Sequence, residues 1–352
     1  GVVDGLFVSN FVGKTPFAAV NLVMPFVMIL GGMGFMIGTG GTALVSRYLG
    51  AGQEERARRY FSMLVEFTAL LGLILTAIGL IFMEPIARFL GATEEMIPDC
   101  VLYGRIVIAF NVAFMFQNVF QSFLVAAEKP RLGLVATVSA GVTNMVLDAL
   151  LVGVFRWGLA GAALATGLSQ TVGAVIPMVF FLNRENGSAL HFSFTPMEVH
   201  PLLQACGNGA SELMSNISGS IAAMVYNFQL LKFLGEDGVS AYGVIMYVGF
   251  IFVAIFVGYS IGSAPIISFH FGAENREELK NMFRKSYLLM AVWGIAMALA
   301  AYLLAGPLAK LFVGYDRQLC ELTVHAMRLH CLAFLFTGAN IFTSSLFTAL
   351  ND

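Results

Sequence analysis

Charge is what this sequence most lacks. Lys, Arg, Asp and Glu make up 11% of its 352 residues, against about 25% in a soluble domain, so no water-facing surface could be covered from that supply. Neither sign dominates: a net charge of −2 leaves no basic footprint, and nucleic acid is not expected as a partner. Cysteine is scarce as well. Cys100, Cys206, Cys320 and Cys331 show no C-x-x-C pair and no zinc-finger spacing, and each lies in or beside an apolar run, so buried thiols are expected. His325, His330 and Cys331 lack a consistent single-face spacing, and no metal site is expected there. H-E-x-x-H and other nucleophile-and-base constellations are missing, which leaves a membrane enzyme without machinery. No cofactor is expected. The chain opens inside an apolar segment without a methionine, and no cleavable signal peptide is visible.

What the chain has in abundance is apolar length, at 58% hydrophobic residues. A membrane-spanning helix needs about 20 mostly apolar residues, and ten such segments succeed one another: 1 to 12, 16 to 48, 60 to 83, 97 to 126, 132 to 155, 158 to 182, 201 to 231, 238 to 270, 283 to 305 and 318 to 350. The first is incomplete. Several exceed 30 residues and contain Gly and Pro, such as Pro25 and the cluster Gly31-Gly32-Met33-Gly34, which predicts long helices that tilt or bend. Asn183 to His200 is the longest non-apolar stretch and reads as a linker between two bundles, 1–182 and 201–352. Arg47, Arg56, Arg58, Arg59, Lys129, Arg131, Arg184, Arg276, Lys280, Arg284 and Lys285 fall on the linker's side. Lys14, Arg88, Arg156, Lys232, Lys310 and Arg317 fall on the other. The richer side, linker included, is expected to be cytoplasmic, in a multi-pass membrane protein.

The chain also repeats itself. A shift of 222 residues lays Gly40, Ser46, Gly50 and Ala51 on Gly262, Ser268, Gly272 and Ala273 without a gap. Downstream, Glu55 meets Glu277, Arg58 meets Lys280, Phe61 meets Phe283 and Pro85 meets Pro307. Chance recurrence of Gly and Ala, both common in membrane helices, does not preserve loop charges and a proline. Gly1 corresponds to Ala223 and, with one residue inserted along the way, Asp352 to Lys129, so the intact protein is expected to have twelve helices, of which about ten are covered here. The expected fold is all-α and integral to the membrane, two six-helix bundles related by pseudo-two-fold symmetry about an axis along the membrane normal.

An ionised side chain near the bilayer centre costs roughly 2.5–3.5 kcal/mol on insertion scales, so intramembrane charges are candidates for function. Asp4 and Asp148 are the best cases. Asp148 lies four residues after Asn144, which puts both on one helix face, and Gly141 and Thr137 continue that stripe. Two carboxylates, a carboxamide and the Thr166 hydroxyl would make an oxygen-rich pocket for a proton or a hard monovalent cation. Polar groups that merely join helices are the bland alternative. In the second half the leading carboxylate is Glu212, in Gly209-Ala210-Ser211-Glu212. Asn111, Asn118 and Ser122 share a face of the fourth segment, with Gln117 and Gln121 adjacent; they would line a water-filled cavity or hydrogen-bond between helices. Glu66, Glu84, Asp99 and Arg105 sit near predicted helix ends, where snorkelling is inexpensive.

Several strings resemble the MATE family of multidrug and toxic compound extrusion transporters, in its prokaryotic branch with an acidic pair in the N-terminal half. They are Val2-Val3-Asp4-Gly5-Leu6-Phe7-Val8, the run from Gly40 to Gly52, Asn144-Met145-Val146-Leu147-Asp148, and the run from Gly158 to Thr166. The resemblance covers essentially the whole chain. It implies a transporter rather than an enzyme, exporting organic cationic compounds by antiport with H+ or Na+ through alternating access. It places cation coupling on Asp4, Asn144, Asp148 and Thr166, and cation or substrate binding on Glu212. A substrate cavity with Gln117, Asn118, Gln121 and Glu212, small organic substrates and membrane lipid as partners, and a monomeric state are the accompanying expectations. The main rival is a flippase for a lipid-linked precursor, which would call for several central Arg or Lys; none is placed centrally.

Overall fold

The computed structural model of the chain describes residues 2–185, 187–272 and 275–349, and among them there are helices and no strands. α1 (Val2–Phe7) runs on as a π-helix, Val8–Val12, and ends at Gly13. α2 (Lys14–Gly50) and α3 (Glu54–Phe89) follow, then α4 (Ile97–Ala109) and α5 (Asn111–Ala126), bent by 50° at Phe110. α6 (Pro130–Leu147) also passes into a π-helix, Asp148–Val154, before α7 (Gly158–Leu182). α8 (Val199–Asn208) and α9 (Ala210–Gly272) come after the polar stretch, then α10 (Arg276–Val313), α11 (Arg317–His330), a 3-10 turn at Cys331–Ala333 and α12 (Phe334–Ala349). Among the described residues seven helices are long and apolar enough to cross a membrane, and the bent α4–α5 pair passes the same test together.

The segments expected at 97 to 126 and 201 to 231 are each broken inside, at Phe110 and at Gly209. α9 takes in the rest of the second of them and all of 238 to 270, and turns at Gly235, whose φ of +65° lies in the left-handed region open to glycine. Immediately beyond it, Glu236 accepts hydrogen bonds from the Thr15 hydroxyl (2.7 Å) and the Thr93 hydroxyl (3.4 Å). These bonds tie the turn to the start of α2 and the end of the α3–α4 connection. Leu73, Ile81, Leu288, Leu303 and Phe336 are all more than half exposed. Large apolar side chains along whole helix faces are at home against lipid and costly against water.

Two compact units make up the chain. One is Phe7–Glu236; the other is Gly1–Leu6 together with Asp237–Asp352. In Phe7–Glu236, α2 lies against α3, α5 and α8, and α7 against α5 and α6. α2 and α8 touch through backbone: a Cβ on Gly40 would run into the Ala205 carbonyl, and one on Gly209 into the Met36 carbonyl. Only glycine permits that approach, and small residues at crossings are how membrane helices gain van der Waals contact. The centre is aromatic, with Phe61 packed on Phe123 (4.9 Å between ring centroids) and on Phe181 (4.7 Å). In the other unit, α10 packs on α11 and α12 around Phe256, Met290, Met297, Phe334 and Phe342. Hydroxyl pairs reinforce that core, Tyr287 with Thr343 at 2.7 Å and Tyr259 with Ser286 at 2.9 Å.

The polar stretch between α7 and α8 is attached to the first of these units as a strap. Phe192 donates its amide to the Phe181 carbonyl (2.8 Å), Ser193 to the Ser62 hydroxyl (3.0 Å) and Thr195 to the Glu66 carboxylate (3.3 Å). The Thr195 hydroxyl reaches the Arg59 carbonyl, Arg59 pairs with Glu198 at 2.6 Å, and Leu190 is fully buried. Glu66, expected near a helix end, lies more than three turns inside α3, where it holds a strap amide.

Candidate functional site

Asp148 is fully buried and begins the π-helical segment Asp148–Val154; Asn144, one turn earlier at the end of α6, is also buried. A π turn inserts one residue into the helical register and re-aims the side chains around it, and such turns concentrate at functional sites. The i, i+4 spacing therefore does bring the carboxamide and the carboxylate to one face. The segment packs on α7, where a Cβ on Gly161 would lie 3.1 Å from the Leu151 carbonyl oxygen. Because α6 with its continuation and α7 run antiparallel through a tight connection, residues before Leu151 lie level with residues after Gly161. At about 1.5 Å per helical residue, Asp148 and Thr166 come within a few ångströms of the same height. Thr166 is half-buried, and its carbonyl accepts from the Ser169 hydroxyl at 2.7 Å.

The fourth expected member, Asp4, belongs to the other unit. It is 1% exposed, and neither carboxylate oxygen has a hydrogen-bond partner among the described residues. Its neighbour Gly5 lies so close to Tyr247 that any β-carbon there would enter the ring. One turn further on, in the Phe7–Glu236 unit, the π-helix Val8–Val12 touches the π-helix Asp148–Val154. Each candidate carboxylate is thus followed directly, or within a turn, by a π-helical register shift.

The candidate cavity residues divide. Gln117 on α5 is half-buried, with its side chain against Gly173 of α7. Gln121, one turn on, is exposed, accepts from the Thr137 hydroxyl at 3.2 Å and packs over Gly133. Asn118 is buried, and its amide is committed to the Gly31 carbonyl of α2 at 3.3 Å, a bond between helices. Glu212 falls on α9, but its side chain lies outside the described residues. Sequence reading passed over Gln170, whose carbonyl oxygen is buried with no hydrogen-bond partner among the described residues. Thr166, Gln170 and Gly173 recur at i, i+4 and i+7, so one face of α7 joins the level of Asp148 to Gln117. That spacing was the available signal. Among the described residues no three His, Cys, Asp or Glu side chains gather to hold a metal.

Chemically, this face is a track of oxygen and amide groups inside helices otherwise filled with Ala, Leu and Phe. An unpaired buried polar group is expensive, so the Gln170 carbonyl and the Asp4 carboxylate mark places where a proton or a small cation would be favoured.

Comparisons with known proteins place this arrangement. The model of the MatE family matches residues 1–150 and 213–352. The multidrug export protein MepA of Staphylococcus saprophyticus is 22% identical over 344 residues, covering 96% of this chain and 76% of that protein. MepA of Staphylococcus aureus strain MSSA476 is 23% identical over 345 residues, with the same coverage. Among solved structures, the inward-facing conformation of a multidrug resistance MATE family transporter of the MOP superfamily matches with a TM-score of 0.92 at 22% identity, covering 99% of this chain and 80% of that one. The outward-facing conformation of a multidrug resistance MATE family transporter matches with a TM-score of 0.77 at 22% identity, covering 99% and 77%. The structural likeness shows that the helices follow the MATE transporter fold, and since the family model spans most of the sequence, this chain belongs to the MatE family.

Proposed function

We propose that this protein is a secondary active transporter that exports organic cationic compounds by antiport with H+ or Na+. Family membership and the export function named for the MepA relatives support transport out of the cell. The observation that carries the coupling half of the reading is the burial of two carboxylates in membrane helices, Asp4 at 1% exposure and Asp148 at 0%. An ionised carboxylate inside the membrane is costly, so each gains by taking up a proton or cation. Loading and release at those positions then bias the equilibrium between inward- and outward-open states, because a ligand shifts a conformational equilibrium only by binding one state more tightly. Asn144, Thr166 and Gln170 would supply neutral oxygens beside Asp148, while Gln117 and Gln121 would meet the exported compound. The excess of Lys and Arg in the loops on the strap side supports a cytoplasmic strap.

The flippase alternative asks for cations that hold a pyrophosphate. Among the described residues no Lys or Arg is buried, and both buried charged side chains are aspartates, an arrangement suited to positive cargo. The test is Asp148→Asn in cells and in proteoliposomes. The variant is expected to insert and accumulate normally and to lose gradient-driven efflux; full drug resistance in cells carrying it would sink the assignment.

A further inference from the structure

Where the strap crosses the aromatic core, the Phe7–Glu236 unit holds a cavity that the transport reading does not use. Phe61 and Val65 of α3, Phe120 of α5, Met178 and Phe181 of α7 and Phe192 of the strap form its walls, all apolar. The cavity measures about 50 Å3, well below the roughly 300–1,000 Å3 of sites that enclose drug-sized ligands. It is therefore shaped for a slender chain end and not for an exported compound. An apolar void of this kind does not hold water, which needs two or more polar partners. Leu182, the last residue of α7, completes the wall and is 53% exposed. The cavity therefore reaches the outer surface of the bundle, at the level where α7 leaves the apolar zone.

Basic side chains flank that opening. Arg58 lies one helical turn before Phe61, Arg184 two residues past Leu182, and His191 next to Phe192. The charges of Arg58 and Arg184 both reach His191, so the three belong to one electrostatic neighbourhood. Arg59, adjacent in sequence, spends its charge on Glu198. Among the described residues neither Arg58 nor Arg184 has a carboxylate partner. Two guanidiniums without a carboxylate partner among the described residues, together with an imidazole, thus lie beside the residues that line a dry aromatic slot.

We infer that Arg58, Arg184 and His191, with the phenylalanine-lined cavity below them, bind one anionic phospholipid, head group on the basic cluster and acyl-chain end between Phe61, Phe181 and Phe192. The complementarity in charge selects phospholipid over a neutral occupant, and basic pockets beside membrane helices bind such head groups on physical grounds. The lipid would bridge α3, α7 and the strap. It would hold the strap's α7 end, where the Ser62, Glu66 and Arg59 contacts hold its far end.

Native mass spectrometry on the full chain, with phosphatidylglycerol or phosphatidylcholine of identical acyl chains added in detergent, tests this. Two basic side chains near a membrane surface each strengthen anionic lipid binding several-fold, so retention of phosphatidylglycerol is expected to exceed that of phosphatidylcholine by about tenfold or more. Arg58→Gln with Arg184→Gln should make the two lipids equal. Val65→Phe, which fills the cavity, should cut retention of both several-fold. Thermal unfolding of each variant in the same detergent confirms that it is folded. Equal retention of the two lipids by the unmodified protein overturns the inference, as does a preference that survives the double Arg replacement. Undiminished retention in Val65→Phe, or full displacement of the lipid by inorganic phosphate alone, would leave only a surface anion site and also overturns it.

Discussion

At the scale of single residues, Gly40 and His191 show steric and electrostatic constraint in isolation. Gly40 has no side chain because the Ala205 carbonyl of α8 occupies the place where one would stand. Gly40→Ala must push two backbones apart, and overpacking of this sort costs about 1–3 kcal/mol. A drop in the midpoint of thermal unfolding in detergent is the expected outcome, with Gly207→Ala, where a Cβ meets nothing within 4 Å, as the neutral control. His191 is half-buried on the strap, and its pKa lies below the usual 6.5 because burial, then Arg58 from α3, then Arg184 after α7 all disfavour the imidazolium. With the strap undocked, His191 returns to its ordinary value and binds more protons. Docking is therefore unaffected above about pH 6.5, weakens as the pH falls from 6.5 towards the lowered value, and changes no further below it. Hydrogen exchange, corrected for intrinsic rates, should show the Ser193 and Thr195 amides losing protection between pH 7.5 and 5.5, an effect absent in His191→Gln. Protection that is flat with pH in the unmodified protein would contradict this account.

At the scale of elements, the strap is a polar segment whose order comes from α3. Its clips are individually weak: the Arg59–Glu198 pair is partly exposed, worth at most about 1 kcal/mol, and each neutral hydrogen bond contributes of that order. Together they fix an extended chain. Glu66→Ala with Ser62→Ala removes both acceptors for the Ser193 and Thr195 amides, and cleavage by trypsin after Arg184 is expected to quicken several-fold while the helical circular dichroism is unchanged. Of the ten apolar segments expected, seven helices and the bent α4–α5 pair are long and apolar enough to span a bilayer among the described residues; those were legible because length and hydropathy decide which stretches can span, and 158 to 182 coincides with α7 at both ends. Two things were not legible. The π-helical segments Val8–Val12 and Asp148–Val154 differ from their neighbours only in hydrogen-bond register, which leaves no mark on composition. The strap read as a plain linker, since its polarity was visible and its pairing with Ser62, Glu66 and Arg59 depends on contacts across more than 120 positions. For the candidate site, the Asn144–Asp148 face was readable from i, i+4 spacing, whereas the unpartnered Gln170 carbonyl required knowing which face of α7 turns inward.

At the scale of the whole molecule, both carboxylates that are buried among the described residues, Asp4 and Asp148, come from the first half of the sequence. Under the 222-residue shift Asp4 falls on Tyr226, an uncharged and exposed residue. An exporter driven by an ion needs at least one site whose occupancy alters the balance between its two open states, and a site with equal affinity in both shifts nothing. If coupling rests on Asp4 and on Asp148, each carboxylate is required and Glu212 is not. Vesicles preloaded with acid or with Na+ at their interior should then accumulate a cationic dye under one of the two gradients. Asp4→Asn and Asp148→Asn should each reduce that accumulation to the level of empty vesicles, while Glu212→Gln keeps it, even if the dye binds more weakly. The reverse pattern, with accumulation lost in Glu212→Gln and kept in Asp4→Asn, would move ion coupling into the second half of the chain. The burial of Asp4 would then serve packing alone, at a cost of about 2.5–3.5 kcal/mol if it stays ionised, which protonation would remove. The same vesicles, assayed for dye binding without a gradient, separate the two cases, because a packing residue alters folding and a coupling residue alters only the response to the ion.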